Sequence, residues 1–301
     1  ISIRWVLFSS LADGISSAQN LLLSDDVLTA INAIKKLGIK VRLNKKRCII
    51  YGKGINGYCF KKNIIIDARN SGTLGRLIMG LLIDTNHPIK LIGDKSLSKR
   101  DFKRISDPLS KFGATFKLSN KKNLPLKIIG SSNLKPFKYF EKRGSAQCKS
   151  SVIFGGMKTE GTTIIKAKKS RNHTEILCKY LKLPVSCKKM QGYDIIKVNK
   201  VKKIKALNYK IPSDISSSAF FIVLTALSEN SKLTIKNVSI NPSRIGIIKI
   251  LKKMGVKIFF RNKKIYKGEK IADIFVKSSK KLKPINCPSK FNSQAIDEFL
   301  L

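Results

Sequence analysis

The stretch that decides the fold is LTAINAIKKLGIKV, at residues 28–41. Its apolar residues recur at helical spacing as far as Leu37, Gly38 then interrupts the pattern, and β-branched residues follow. Glycine readily adopts the left-handed backbone conformation just past a helix end, so the stretch predicts a helix, a turn and a strand. The same pattern recurs in three later segments, which are residues 105–116, 174–185 and 245–259.

Two series of positions give this repeat its period. The predicted turns are 75, 69 and 73 residues apart, at Gly38, Gly113, Lys182 and Gly255. A polar cluster opens another apolar helix ahead of each turn, and the clusters are spaced by 69, 74 and 69 residues, at Ser2, Ser71, Ser145 and Asp214. Serine and aspartate are common helix N-caps, so each cluster predicts a helix start. The two series together predict a repeated unit of alternating helices and strands.

Shorter signals predict the remaining elements and the domain boundary. Strands are expected at residues 61–67, 89–92, 162–167, 194–198 and 232–235, and a turn at 13–14. The predicted fold class is therefore α/β. A proline follows the basic stretch 200–205 and predicts a domain break, with a first domain at residues 1–211 and a second at 212–301. Because the chain opens without Met and closes on an apolar segment, we expect a sequence that lacks both ends and a second domain that is incomplete.

The net charge is the most conspicuous feature of the composition. The chain has 61 Lys and Arg against 18 Asp and Glu, a formal charge of +43, which on its own indicates a nucleic-acid partner. Only 11 of the cations are Arg, however, and the 50 Lys include scattered pairs among abundant Ile and Asn. Arginine carries most bidentate recognition of nucleic acids. We therefore interpret the lysines as compositional drift on a solvated surface and expect no nucleic-acid partner.

Cysteine and histidine usage bears on metal sites and location. The six Cys form no C-x-x-C pair and the chain has two His, so we expect no metal site, reduced thiols and a cytoplasmic location. No apolar run approaches the length needed to cross a bilayer, so we expect no membrane span.

Polar loops at the repeated helix starts carry the functional prediction. A helix N-terminus presents free backbone N–H groups and the positive end of the helix dipole, which together attract anions. Arg76 follows the start at residues 70–73, and the loops at 93–100 and 168–175 each carry several cations. Several such loops at equivalent repeat positions favour a small substrate with more than one negative group. For each serine at these starts, the alternative is a capping role alone.

Five motifs then occur in a fixed order: NSGTxxR at 70–76, GDxSLxKR at 93–100, SAQxKS at 145–150, SRxHTE at 170–175 and NPxRxG at 241–246. The opening ISxR at 1–4, LLLSDD at 21–26 and IDE at 296–298 accompany them. In this combination the sequence resembles the EPSP synthase (3-phosphoshikimate 1-carboxyvinyltransferase) family over its whole length. The resemblance implies a two-domain inside-out α/β barrel built from repeated βαβαββ units, three in each complete domain.

The resemblance also implies a reaction. In this family the 5-hydroxyl of shikimate 3-phosphate attacks phosphoenolpyruvate after its methylene carbon is protonated, and the adduct then loses inorganic phosphate. No metal and no organic cofactor are implied, and a monomer is expected. Both substrates are phosphorylated carboxylates, which arginine side chains and helix starts bind well.

Residues at the matching motif positions take their roles from the same resemblance. Shikimate 3-phosphate contacts are implied for Arg4, Ser145, Ala146, Gln147, Arg171 and Asp297. Phosphoenolpyruvate contacts are implied for Gly72, Arg100 and Gln147. Asp297 corresponds to the catalytic carboxylate that accepts the proton of the attacking hydroxyl. Asp214 is interpreted instead as a helix cap and hinge residue.

The sequence departs from the family's pattern at three positions and at its ends. Ile3 stands where His or Asn is usual, Asp101 where Pro follows the arginine, and Asn172 where Asp is usual. The family's Lys-Ser pair before Ile1 and its Arg- and Lys-rich segments after Leu301 are not in this sequence. We therefore expect little or no activity from the 301 residues alone.

Two alternatives stay open. The first is the related UDP-N-acetylglucosamine enolpyruvyl transferase, which typically places a Cys in the loop equivalent to residues 93–100, where this sequence has none. The second is a basic nucleic-acid-binding repeat protein, which would interleave aromatic side chains or arginines on one surface. The Phe and Tyr of this chain mostly fall within apolar periodic segments instead.

Overall fold

A computed structural model describes residues 1–45, 47–279 and 281–301. These residues form two compact units, the first comprising residues 1–169 and 178–211 and the second comprising 170–177 and 212–301. Residues 170–177, which the sequence analysis placed in the first domain, thus group with the second unit. The domain assignment itself stays a prediction. Within the three described ranges, no helix is long and apolar enough to cross a membrane.

Helices and strands alternate along the first unit. Its helices are α1 (Ser2–Ser10), α2 (Asp25–Lys36), α3 (Gly72–Leu81), α4 (Lys95–Ser98), α5 (Lys103–Ser110) and α6 (Ala146–Gly156), and the residues of α7 (His173–Tyr180) divide between the two units. Its strands are β1 (Asp13–Gln19), β2 (Lys40–Leu43), β3 (Arg47–Lys53), β4 (Ile65–Asp67), β5 (Ile89–Ile92), β6 (Thr115–Ser119), β7 (Asn123–Ile129), β8 (Lys138–Glu141), β9 (Thr162–Lys168), β10 (Val185–Lys189), β11 (Tyr193–Asn199) and β12 (Asn208–Lys210).

The strands of the first unit repeat one sheet topology. Their orders are β12-β1-β3-β2, β4-β5-β7-β6 and β8-β9-β11-β10. In each order the first pair is parallel and the next two pairs are antiparallel. Strand β12, from the end of the unit, supplies the parallel neighbour that β1 otherwise lacks. This topology confirms the repeated α/β unit that the sequence period predicted.

The helices that open the three repeats form the core of the first unit. Almost every residue of α1, α3 and α6 is buried, as expected for helices that are apolar all round. The rings of Phe8 and Phe154 pack 5.1 Å apart between α1 and α6. A Cβ at Gly80 would lie 2.1 Å from the carbonyl oxygen of Ser151, so glycine is needed where α3 approaches α6. Close packing therefore brings two of these helix starts, those of α3 and α6, into one region.

The second unit contains a further copy of the same arrangement. Its elements are α8 (Ile215–Leu227), β13 (Lys232–Ser239), α9 (Gly246–Lys253), β14 (Lys257–Tyr266), β15 (Glu269–Lys277), a 3₁₀ turn (Ser289–Phe291) and α10 (Asn292–Ala295). The sheet order is β13-β15-β14, with both pairs antiparallel. Ile222 of α8, Ile248 of α9 and Ile274 of β15 lie in its core.

Backbone geometry confirms the predicted turns. Gly38, Gly113 and Gly255 have φ angles of 85°, 114° and 98°, and Lys182 has a φ of 54°. All four positions therefore lie in the left-handed region at the end of a helix, where glycine is favoured. Lys182 occupies it without being glycine.

Most of the predicted helix starts are also confirmed. The side chains of Ser71, Ser145 and Asp214 accept hydrogen bonds from backbone N–H groups three residues on, at 3.3, 3.3 and 3.0 Å. The cap predicted at Ser2 is wrong, because the carbonyl of Ile1 already accepts the Trp5 N–H and places Ser2 inside the helix.

Two strand-level predictions are also corrected. The turn predicted at residues 13–14 is wrong, because Asp13 and Gly14 pair with Lys53 and Gly52 as the start of β1. The strand predicted at 61–67 is confined to Ile65–Asp67.

Candidate functional site

The start of helix α3 lies against two guanidinium groups. Ser71 caps the helix, and a Cβ at Gly72 would lie 3.2 Å from Nη1 of Arg100 and 3.3 Å from Nη1 of Arg76. The exposed Arg100 donates to Asn70 Oδ1 at 3.3 Å, so it stays beside the helix start. Because the glycine has no side chain, both guanidinium groups can lie close to the backbone at this helix start.

Gln147 joins the starts of α3 and α6. Its Oε1 accepts a hydrogen bond from Arg76 Nη1 at 2.5 Å, and its Nε2 donates to Thr73 Oγ1 at 3.0 Å. Gly72, Arg100 and Gln147, which the resemblance assigned to one substrate, therefore lie in one region of the first unit. Ser145 and Ala146 stand directly before Gln147, as the cap and first residue of α6.

Positive charge is concentrated at this place. Arg76 is only 6% exposed, and burial, followed by repulsion from Arg104 and Arg100, lowers its pKa to about 10. Its guanidinium stacks over the ring of Phe102 at 5.5 Å, and its Nε has no hydrogen-bond partner within the described chain. An anion bound between arginines that repel one another would stabilise them, because it offsets their repulsion.

Glu141 holds the loop that leads into α6. This carboxylate is 2% exposed, and it accepts the backbone N–H groups of Arg143 at 3.0 Å and Ser145 at 2.8 Å. Glu141 was not among the residues predicted from the sequence. The available signal was a charged residue at the end of a strand, just before a predicted helix start. The burial of that residue was not evident from the sequence.

Arg4 belongs to the same unit. It lies in the first turn of α1, and its Nη2 donates to Ser150 Oγ of α6 at 3.3 Å. Ser150 is one helical turn beyond Ala146 and Gln147. The hydrogen bond therefore ties Arg4 to the helix that carries three of the other predicted residues.

The second unit holds the other two predicted residues together. Arg171 Nη2 and Asp297 Oδ2 form a salt bridge of 2.9 Å, and Arg244 Nη1 lies 3.7 Å from the same oxygen. Asp297 is exposed, so its carboxylate is accessible to a ligand.

Arg244 is the centre of this second cluster. It is 8% exposed, hydrogen-bonds Ser216 and lies within 4 Å of the carboxylates of Asp214 and Glu298 as well as Asp297. Burial, followed by repulsion from Arg171, lowers the pKa of Arg244. Its motif was recognised in the sequence, but no role was predicted for it, because its partners are distant along the chain.

A polar network lies beside this cluster in the second unit. His173 Nδ1 lies 2.6 Å from Glu269 Oε1, and since a carboxylate accepts, Nδ1 carries the hydrogen. Asn241 donates to Asn172 Oδ1 at 2.9 Å and to Glu269 Oε2 at 3.4 Å. The network connects the SRxHTE and NPxRxG motifs. Asn172, which departs from the family's usual Asp, takes part in it as an acceptor.

The described residues include no group of three or more His, Cys, Asp and Glu side chains suited to hold a metal ion. The side chains that the site offers instead are guanidinium groups, an amide and hydroxyls around helix starts. Those groups bind phosphate and carboxylate oxygens.

Fold and site define a class of α/β protein that is built from repeated units and has arginines at its helix starts. Comparisons with known proteins identify the family within that class. The family described as EPSP synthase (3-phosphoshikimate 1-carboxyvinyltransferase) matches residues 1–300, and the chain belongs to it.

Individual relatives agree with this assignment. The 3-phosphoshikimate 1-carboxyvinyltransferase of Caldicellulosiruptor saccharolyticus is 41% identical over 93% of this chain and 64% of its own length. That of Hydrogenovibrio crunogenus is 39% identical over 99% of this chain and 67% of its own length. The structure of EPSP synthase from Acinetobacter baumannii matches with a TM-score of 0.88 and 34% identity, over 99% of this chain and 67% of that one. The chain thus spans about two thirds of the length of these relatives.

Proposed function

We propose that this protein transfers the enolpyruvyl group of phosphoenolpyruvate to the 5-hydroxyl of shikimate 3-phosphate, with release of phosphate. The observation that carries the proposal is the set of arginines around the starts of α3 and α6, in a chain of the EPSP synthase family. The reaction would supply 5-enolpyruvylshikimate 3-phosphate for aromatic amino-acid biosynthesis.

The first unit would hold the two anionic substrates. Gly72 and Arg100 would contact phosphoenolpyruvate, because an exposed guanidinium beside a helix start suits a phosphate or carboxylate group. Arg4, Ser145 and Ala146 would contact shikimate 3-phosphate. Gln147 would contact both substrates, and its hydrogen bonds to Arg76 and Thr73 fix its orientation for that role.

The second unit would supply the base. Asp297 would accept the proton of the 5-hydroxyl of shikimate 3-phosphate. The hydroxyl oxygen then bonds to the enol carbon of phosphoenolpyruvate, whose methylene carbon takes up a proton. Departure of phosphate, together with loss of one proton from the methyl group, then leaves the enolpyruvyl ether. Arg171 holds Oδ2 of Asp297 at 2.9 Å and would contact shikimate 3-phosphate with its remaining donors. No metal or organic cofactor is needed for these steps.

Phosphate release tests the proposal. Little or no activity is expected from the 301 residues alone, so the test uses them within a chain of the relatives' full length. With that purified protein, phosphoenolpyruvate should release phosphate only when shikimate 3-phosphate is present. UDP-N-acetylglucosamine, the acceptor of the related family, should not replace it. Release with UDP-N-acetylglucosamine alone would contradict the proposed acceptor.

Arg100→Ala tests the assignment of substrates to residues. It should raise the phosphoenolpyruvate concentration needed for half-maximal rate far more than that of shikimate 3-phosphate. Lys95→Ala, an exposed cation in the same segment, is the matched control and should change neither. Equal effects of Arg100→Ala on both substrates would refute its role.

We further propose a monomer in the cytoplasm. The thiols of Cys48 and Cys148 are buried in the described structure, which suits a reducing compartment. Light scattering on the purified protein and fractionation of cells test the two parts. A stable dimer or an exported protein would contradict them.

A further inference from the structure

One sheet of the first unit presents a basic and aromatic face. Directly paired residues lie on the same face of a sheet, and pairing across β8, β9, β11 and β10 aligns two rows. One row is Phe140, Lys166, Ile195 and Lys188, and the next is Lys138, Ile164, Lys197 and Ser186. Lys168 and Tyr193 form a third, shorter row. We call these ten residues the β8–β11 face.

Lysine ammonium groups lie over the aromatic rings of this face. Lys166 Nζ is 4.4 Å from the ring centre of Tyr193 and 5.0 Å from that of Phe140. Lys142, just past β8, lies 5.7 Å from the ring of Phe140. Phe140 is 44% exposed, so its ring is available to a ligand. The face therefore combines cations and accessible π surfaces.

The β8–β11 face carries no carboxylate. Glu141 and Asp194, the acidic residues of these strands, are 2% and 8% exposed and point to the opposite face. Each of the other three sheets has an aspartate on its outward face, at Asp13, Asp67 and Asp273. The absence of carboxylates distinguishes this face from the outward faces of the other three sheets.

We propose that the β8–β11 face binds single-stranded nucleic acid, independently of the proposed enzymatic activity. Lysines would neutralise phosphates, and bases would stack on Phe140 and Tyr193 after displacing the ammonium group between them. Strand β9 lies between the strands that carry the two rings, and Lys166 Nζ of β9 lies 5.0 Å from the ring centre of Phe140 and 4.4 Å from that of Tyr193. The sequence led us to expect no nucleic-acid partner, because arginines are few and the Phe and Tyr mostly fall within apolar segments. Strand pairing, which chain order does not reveal, brings Phe140 and Tyr193 to one face.

Fluorescence anisotropy with a labelled single-stranded oligothymidylate tests the proposal. The protein should bind it with an affinity that falls as salt rises. The double variant Phe140→Leu and Tyr193→Leu keeps the charge but removes both rings, and it should weaken binding by about tenfold or more. The matched control is Phe259→Leu, which removes a ring 50% exposed on the β13–β15–β14 sheet and should leave binding unchanged.

Two further measurements separate base stacking from charge alone. Heparin, a polyanion without bases, should bind the wild-type and the double variant equally. Ultraviolet cross-linking of the oligothymidylate to the wild-type protein should map to Phe140 or Tyr193, whether or not the variant folds. The proposal is overturned by a lack of oligonucleotide binding at physiological salt, by equal binding of the double variant, or by cross-links confined to other surfaces. Tighter, ring-independent binding of polyglutamate would indicate an acidic protein partner and also overturn it.

Discussion

Replacing Gly72 with alanine should separate the stability of helix α3 from the binding of anions at its start. The added Cβ would lie 3.2 Å from Arg100 Nη1 and 3.3 Å from Arg76 Nη1, so at least one guanidinium must move by a few tenths of an ångström. Arg76 is buried and hydrogen-bonded to Gln147, whereas Arg100 is exposed. We expect Arg100 to move.

The two effects of Gly72→Ala have opposite signs. Alanine in place of a helical glycine stabilises the fold by up to about 0.5–1 kcal/mol. Misplacing one charge-assisted hydrogen bond to phosphoenolpyruvate costs about 1.5–3 kcal/mol, which is roughly ten- to a hundredfold in affinity. The free energy of unfolding should therefore stay equal or rise while the affinity for phosphoenolpyruvate falls.

Two measurements on the same variant provide the assay. Urea denaturation gives the stability, and the phosphoenolpyruvate concentration needed for half-maximal phosphate release, measured in a chain of the relatives' full length, gives the apparent affinity. A variant with wild-type stability and wild-type phosphoenolpyruvate affinity would refute the placement of this substrate beside Gly72.

Three further predictions concern the fold and its dependence on pH. Lys158, whose side chain is 3% exposed, lies 2.7 Å from a carboxylate oxygen of Asp84. Lys158→Met leaves that carboxylate without its partner and should lower the free energy of unfolding by about 3 kcal/mol. An unchanged midpoint of urea unfolding would contradict this. Gly255→Ala places a Cβ at a φ of 98° and should lower the free energy of unfolding by about 1–2 kcal/mol. Lys182→Gly, at the equivalent turn, should leave the free energy of unfolding unchanged or raise it. If thermal unfolding showed that both variants destabilise, the result would count against the repeat assignment. Asp273 accepts two hydrogen bonds that lower its pKa below the ordinary 3.8, so its stabilising effect is present above that pH and is lost as pH falls through the lowered value. In Asp273→Asn, the free energy of unfolding measured with urea should therefore fall less between neutral and acidic pH than in the wild type. An identical loss of stability at acidic pH in the variant would exclude that role.

Local signals explain why much of the fold was predictable from the sequence. The left-handed turn at Gly38 and the caps at Ser71 and Asp214 depend on neighbouring residues alone, so residue type and spacing identify them. The short helix α4 was missed in a segment predicted as a polar loop. Asp94 caps it by accepting the Leu97 N–H at 2.6 Å. The capping residue was visible in the sequence, but the helix that follows it has only four residues.

The candidate site was less predictable because its geometry is tertiary. Arg76 meets Gln147 across 71 residues of chain, and only the packing of α3 against α6 brings them together. Glu141 and Arg244 were missed as organising groups for the same reason, since charged residues are usually exposed and their burial follows from the fold. Asp297 was proposed from family resemblance alone. Its salt bridge to Arg171 places two predicted residues together but leaves its catalytic role as a proposal.

Mass spectrometry of the acceptor tests the central claim most directly. Shikimate 3-phosphate and UDP-N-acetylglucosamine would be incubated together with phosphoenolpyruvate and purified protein in which these 301 residues stand within a chain of the relatives' full length. We predict that shikimate 3-phosphate alone gains one enolpyruvyl group, with one phosphate released for each product molecule. Unmodified shikimate 3-phosphate beside enolpyruvylated UDP-N-acetylglucosamine would contradict the proposed function.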